Sequence, residues 1–199
     1  MPELIDKRHF AALTDCDPQE VVSRTNCTYD SAHNCYTLPI WTTRCIIHPA
    51  KAQVEWPEGT ATLHEYFGLF AVHYLLSAKN IQPDGRLISE KDMPGGATFF
   101  RGPHAIPTSR ITDKVDNSLD RFHQLSARYN GTPLTMADAA AMFSITPRIP
   151  VAVLYWAGDN EFPAEAKLLF DKTLPDHFAL DIIFALAVGV AEQLGKIKE

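Results

Sequence analysis

Hydrophobic positions along this chain form three patterns, and each predicts a different element. The first is an unbroken run. Pro150 to Trp156 carries no charged residue and is bracketed by Pro147 on one side and Gly158-Asp159-Asn160 on the other. A short apolar run between turn residues predicts a strand buried on both faces, in the middle of a sheet. The second pattern alternates. Tyr36 to Leu38 and Cys45 to Ile47 flank Trp41-Thr42. With those two residues as the turn, Leu38 faces Cys45 and Tyr36 faces Ile47 across a hairpin, which sets Cys45 on an apolar face. A third strand is expected over Lys51 to Trp56, and another over Lys167 to Phe170.

The third pattern has helical period. Thr62-Leu63-His64-Glu65 has the form of a capping box opening a helix to Ala78. Leu63, Tyr66, Phe67, Phe70 and Tyr74 share one face and Leu69, Val72 and Leu76 much of the other, so the helix should be central. Phe178 to Lys196 carries Ile183, Leu186, Ala187, Val190 and Leu194 along one stripe and should pack on the sheet. Asp17-Pro18-Gln19-Glu20 starts a short helix through Arg24. Ser118 to Tyr129 predicts another, with Leu119, Phe122, Leu125 and Tyr129 inward and Asn130-Gly131 ending it. Ala139 to Ile145 suits either strand or helix. Together these elements predict an α+β fold: one domain over residues 1–199, with a mainly antiparallel sheet covered by the helices Thr62–Ala78 and Phe178–Lys196.

Composition narrows the function without choosing it. Hydrophobic residues make up 46% of the 199 and charged residues 21%, which predicts a packed globular chain. A net charge of -6 with no Lys/Arg run argues against nucleic acid or an anionic membrane as the main partner. No apolar segment follows Met1-Pro2-Glu3, which points to a cytoplasmic chain, and the uncharged stretch Ile182 to Ala191 is too short to span a bilayer. Cys16, Cys27, Cys35 and Cys45 lie about ten residues apart, not at metal-site spacing, and are expected to be small buried or half-buried thiols. His64-Glu65 is followed by Gly68 where a zinc-peptidase helix needs His. His73 lies between two apolar sectors and is expected to be a core histidine without metal.

Five blocks in order carry a family resemblance. They are Asp17-Pro18 with Arg24, the helix end His73-Tyr74-Leu75-Leu76, Gly85-Arg86-Leu87-Ile88-Ser89, Pro94-Gly95-Gly96 with Phe99, and Pro147 to Asp171. Together they resemble a bacterial and archaeal domain family of unknown function, DUF3786. Some members of that family are similar to this chain preceded by a four-cysteine domain of the kind found in corrinoid iron–sulfur proteins. The resemblance implies anaerobic one-carbon or corrinoid metabolism, with a corrinoid or other tetrapyrrole as candidate cofactor and a corrinoid or iron–sulfur protein as candidate partner. This chain departs from the pattern by lacking such a cysteine cluster and by having Leu87 where the family carries an aromatic.

Three functions fit these residues. The first is a binding or accessory protein. Its site would gather Arg86, Gly95, Gly96, Trp156, Asp159 and Glu161, with His73 as a further candidate contact. Gly95-Gly96 allows close backbone approach, Arg86 offers a planar charged fork, and Trp156 ends a buried strand beside two carboxylates. The second is an enzyme in which Asp159, Glu161 and Asp171 act as acid/base groups or Mg²⁺ ligands. The third is a protein-interaction module. A structural role competes at two points: Asp159 or Asn160 can cap a helical turn near Pro163, and Arg86 can pair with Asp159 or Glu161.

Overall fold

The computed structural model describes residues 4–58 and 63–196. In chain order the elements are α1 (Lys7–Thr14), α2 (Pro18–Thr25), β1 (Thr28–Asp30), β2 (Cys35–Ile40), β3 (Thr43–His48), β4 (Gln53–Glu55), α3 (Tyr66–Ser77), β5 (Leu87–Ile88) and α4 (Gly96–Phe99). Then follow α5 (Ser109–Val115), α6 (Leu119–Arg128), β6 (Thr132–Leu134), β7 (Ala139–Thr146), β8 (Ile149–Trp156), β9 (Glu165–Asp171), α7 (Leu174–His177) and α8 (Leu180–Gly195). The fold is α+β, with two antiparallel sheets of order β1-β2-β3-β4 and β5-β9-β8-β7-β6.

The first sheet follows from its hairpin. Tyr36 pairs with Ile47 and Leu38 with Cys45 around Trp41-Thr42, as the alternation predicts. The tip is fixed to the second sheet, because Trp41 donates its amide to Ile145 O at 2.7 Å and its indole N–H to Tyr129 O at 3.0 Å. Leu38, Ile40, Cys45 and Ile47 are wholly buried. Burial pushes the Cys45 thiol up to about 12, far from a reactive thiolate. Of the span Lys51–Trp56, only Gln53–Glu55 is strand; Pro49 holds residues 49–51 in a single helical turn.

In the second sheet β8 lies between β7 and β9, and Val151, Val153 and Tyr155 are fully buried against the helices. Its other face differs from the expectation of cover on both sides. Ala140, Ala152 and Leu154 are buried there, packed with Leu87, Leu134, Met142, Trp156 and Leu169, and all eight are strand residues. Small alanines are shielded by longer cross-strand neighbours, so burial on this face needs no second layer.

Helices α3 and α8 form the core. Phe67, Phe70, Val72 and Tyr74 of α3 are fully buried, as are Ile183, Leu186, Ala187 and Val190 of α8. The close approach of α8 depends on Gly189, where a Cβ would stand 3.3 Å from the Phe67 ring. Thr62 of the expected capping box lies outside the described residues, and α3 starts at Tyr66, later than the pattern suggests. Leu119 is a correction: it is 37% exposed, because Ser118 caps α6 and leaves its first residue on the solvent side. Among the described residues no helix is long and apolar enough to cross a membrane.

Candidate functional site

The six residues expected to form a site fall into three separate groups. Arg86 stands at the Asp171 end of β9, its carbonyl accepting from Lys172 N at 2.8 Å. Trp156 pairs with Glu165 at the other end. The strand between them puts these ends about 20 Å apart. Arg86 does not reach Asp159 or Glu161; its guanidinium pairs with Asp84 at 2.6 Å and is mostly exposed. Gly95 and Gly96 belong to a tight turn: Gly96 N donates to Met93 O at 2.8 Å, with Pro94 second and Gly95 third at φ 77, a type II turn. That turn packs on the protein itself. A Cβ on Gly96 would lie 1.9 Å from Glu90 O, and one on Gly95 3.5 Å from Leu180.

Trp156, Asp159 and Glu161 do stay together, at the β8–β9 connection. Asp159 Oδ1 accepts from the amides of Glu161 and Phe162, both at 2.8 Å. Those two bonds hold its carboxyl below the ordinary carboxylate value. No helical turn begins at Pro163; Asp159 closes a loop that leads into β9. Asn117 clasps the same loop from α5's side, accepting from Gly158 N at 2.6 Å and donating to Gly158 O at 3.0 Å.

Asp171 is likewise committed. It is 2% exposed and accepts from Gly85 N (2.8 Å), Asp84 N (3.2 Å), Thr173 N (3.0 Å) and Thr173 Oγ1 (2.7 Å). Burial, the largest influence, would raise its pKa, but the four bonds together lower it. Gly85, at φ 81, lets the chain bend onto this carboxylate.

A different region collects polar groups without partners. A cleft of about 590 Å³ lies between the α2 segment, with Cys16, Glu20, Ser23 and Arg24, and the end of α3, Leu76 to Asn80. Arg148, in the turn between β7 and β8, is only 3% exposed, and among the described residues its side chain makes one bond, from Nη2 to Ser23 O at 3.4 Å. Among the described residues its Nε and Nη1 find no partner, nor does His177 Nε2, while Thr146 Oγ1 has the Tyr74 hydroxyl beside it. His177 Nδ1 accepts from Lys79 N at 3.0 Å. Arg148 and His177 are therefore each one hydrogen bond from a residue lining the cleft. Arg24 closes the same region, donating to Ala78 O at 3.0 Å and lying 3.6 Å from Glu20.

The electrostatics of this corner follow from burial. Burial lowers the His177 pKa, with Asp176 opposing and Lys79 and Arg148 reinforcing the shift. Tyr74 donates to Thr25 O at 3.0 Å, and its phenol is pushed up by burial despite Thr146 and Arg148 beside it. Nothing in the periodicity of the chain pointed here, yet a signal exists. Arg148 is the single charged residue between Asp138 and Asp159, and a charge inside so apolar a stretch is either paired or used.

The remaining candidates are quieter. His73 is half-buried and packs on His9 with ring centroids 4.4 Å apart. The four cysteines are free thiols, three of them buried. Among the described residues no three His, Cys, Asp or Glu side chains are grouped to hold a metal ion. A family model described as "Domain of unknown function (DUF3786)" matches residues 17–193. No curated protein and no solved structure matches the chain.

Proposed function

The chain belongs to the DUF3786 family, and from that premise and the cleft beside Arg148 we propose that it works by binding, as an accessory protein that receives a small molecule or the edge of a larger cofactor. The observation that carries this is the buried guanidinium of Arg148, with two nitrogens unpartnered behind a cleft of about 590 Å³. Burying an unpaired charge is costly, and folds keep such groups where a ligand completes them. The cleft volume lies within the range of small-molecule sites, roughly 300–1,000 Å³.

The setting we favour is anaerobic, corrinoid-linked metabolism in the cytoplasm, with a corrinoid or iron–sulfur protein as partner. Its support is the resemblance carried by the five sequence blocks and what that resemblance implies. An enzyme built on Asp159 and Glu161 has less support, since Asp159 Oδ1 already serves two amides of its own loop. The test is to purify the protein without oxygen from its native host and record its absorption spectrum and native mass. A bound small molecule or tetrapyrrole, lost when Arg24 and Lys79 are both replaced by Ala, is the expected result. A protein that comes away bare, with unchanged behaviour in the double variant, overturns it.

A further inference from the structure

Resting on the cleft reading above, we infer that the group recognised there is an oxyanion, a carboxylate or phosphate, seated against Arg148, Thr146 and His177. The argument is an inventory of donors. Arg148 Nε and Nη1 can only donate. His177 Nδ1 accepts the Lys79 amide, which puts the ring proton of the neutral imidazole on Nε2 and makes that atom a donor too. Thr146 Oγ1 can take either role. Arg148 Nε and Nη1 and His177 Nε2 therefore all offer a hydrogen, and the partner they call for is rich in acceptors.

Among the described residues no carboxylate bonds to these donors. Asp171, at the same end of the sheet, spends both oxygens on Gly85, Asp84 and Thr173. Glu20 lies on the outer side, 69% exposed and beside Arg24. The ends of α2 and α3 face the corner, and each helix end brings about half a negative charge. An anion seated here would meet the buried Arg148 directly, with Arg24 and Lys79 at the cleft. The donors are closed to solvent, and the cleft wall at Ser23 and Lys79 has to part for a ligand to reach them.

The experiment is thermal unfolding of the full chain at constant ionic strength in chloride, with inorganic phosphate or acetate added. We expect a saturable rise in Tm, about 5 °C or more at a hundredfold excess over Kd. Arg148→Met should abolish the rise, and Thr146→Val, which keeps the guanidinium, should weaken the apparent affinity about tenfold. The anion giving the larger shift identifies the headgroup class. Equal shifts in wild type and Arg148→Met, or in wild type and Thr146→Val should the Met variant not fold, would mean a general salt effect and overturn the inference. No shift with either anion would mean that internal water satisfies the donors, and overturns it as well. A ligand recovered from the native host that binds Arg148→Met as tightly as wild type sinks the oxyanion but leaves the cleft. An Arg148-dependent phosphate or acetate shift in a protein that carries nothing from its host leaves the oxyanion seat and sinks the accessory-protein reading.

Discussion

Asp171 and Arg148 lie at the same end of the five-stranded sheet, both charged and both almost wholly buried, yet they stand in opposite conditions. Asp171 is surrounded by donors that use its oxygens, and it ties the Asp84–Gly85 turn to β9. Arg148 is surrounded by other donors and leaves most of its own unused. Burial alone does not separate scaffold from site. The balance of hydrogen-bond partners does: a satisfied charge holds the fold, and an unsatisfied one marks where something else is to bind.

The comparison can be broken most forcefully at Asp171. Asp171→Ala strands four donors, two of them in the turn that carries Arg86, and should cost about 3 kcal/mol. A denaturant melt that moves by less than about 1 kcal/mol would show the carboxylate to be idle. Arg148→Met should go the other way. Without an added anion, exchanging an unpaired buried charge for an apolar side chain of similar length should stabilise the protein by about 1–2 kcal/mol. A loss of that size would instead make Arg148 a cap for the carbonyl end of α2, through Ser23.

What the sequence disclosed, and what it hid, divides along the same line. The α8 stripe, the Tyr36–Ile47 and Leu38–Cys45 pairs and the inward Val151, Val153 and Tyr155 were legible because period and turn position are local. The cluster at Arg148 was not. The Arg148–Ser23 bond joins residues 125 apart in the chain, and the His177–Lys79 bond joins residues 98 apart. Charge and glycine content drew attention to Arg86 and Gly96, yet each is engaged by its own neighbours: Asp84 for the first, Glu90 O for the second. No pattern in one chain reveals which polar atoms lack a partner.

Acid should sharpen the contrast in two separate steps. The pKa of His177 is lowered from 6.5 chiefly by burial, as are those of His64 and His73. As pH falls below about 6.5 the unfolded chain takes up these protons first, so stability is lost from there down to the folded values. The groups acting on His177 are Asp176, Lys79, Arg148 and Asp171. Asp171, lowered from 3.8, supports the fold above that value and gives way only in stronger acid. Urea melts across pH should show both steps, and His177→Gln should diminish the upper one alone. An upper step that survives in that variant at full size would assign it to His64 and His73.

The smallest expected effect concerns the pair that sequence reasoning set together. Arg86 bonds to Asp84, two residues away and largely in solvent, and such exposed pairs contribute little. Asp159 serves its own loop at the far end of β9. With about 20 Å between the two ends and no shared partner, Arg86→Ala and Asp159→Asn should act independently. Arg86→Ala should leave the melting temperature essentially unchanged, and Asp159→Asn should lower it slightly, since an amide oxygen still accepts from Glu161 and Phe162. The double variant should show the sum of the two, within the scatter normal for distant sites. A coupling beyond that scatter would require the two ends of the sheet to communicate, which the strand register between them gives no means to do.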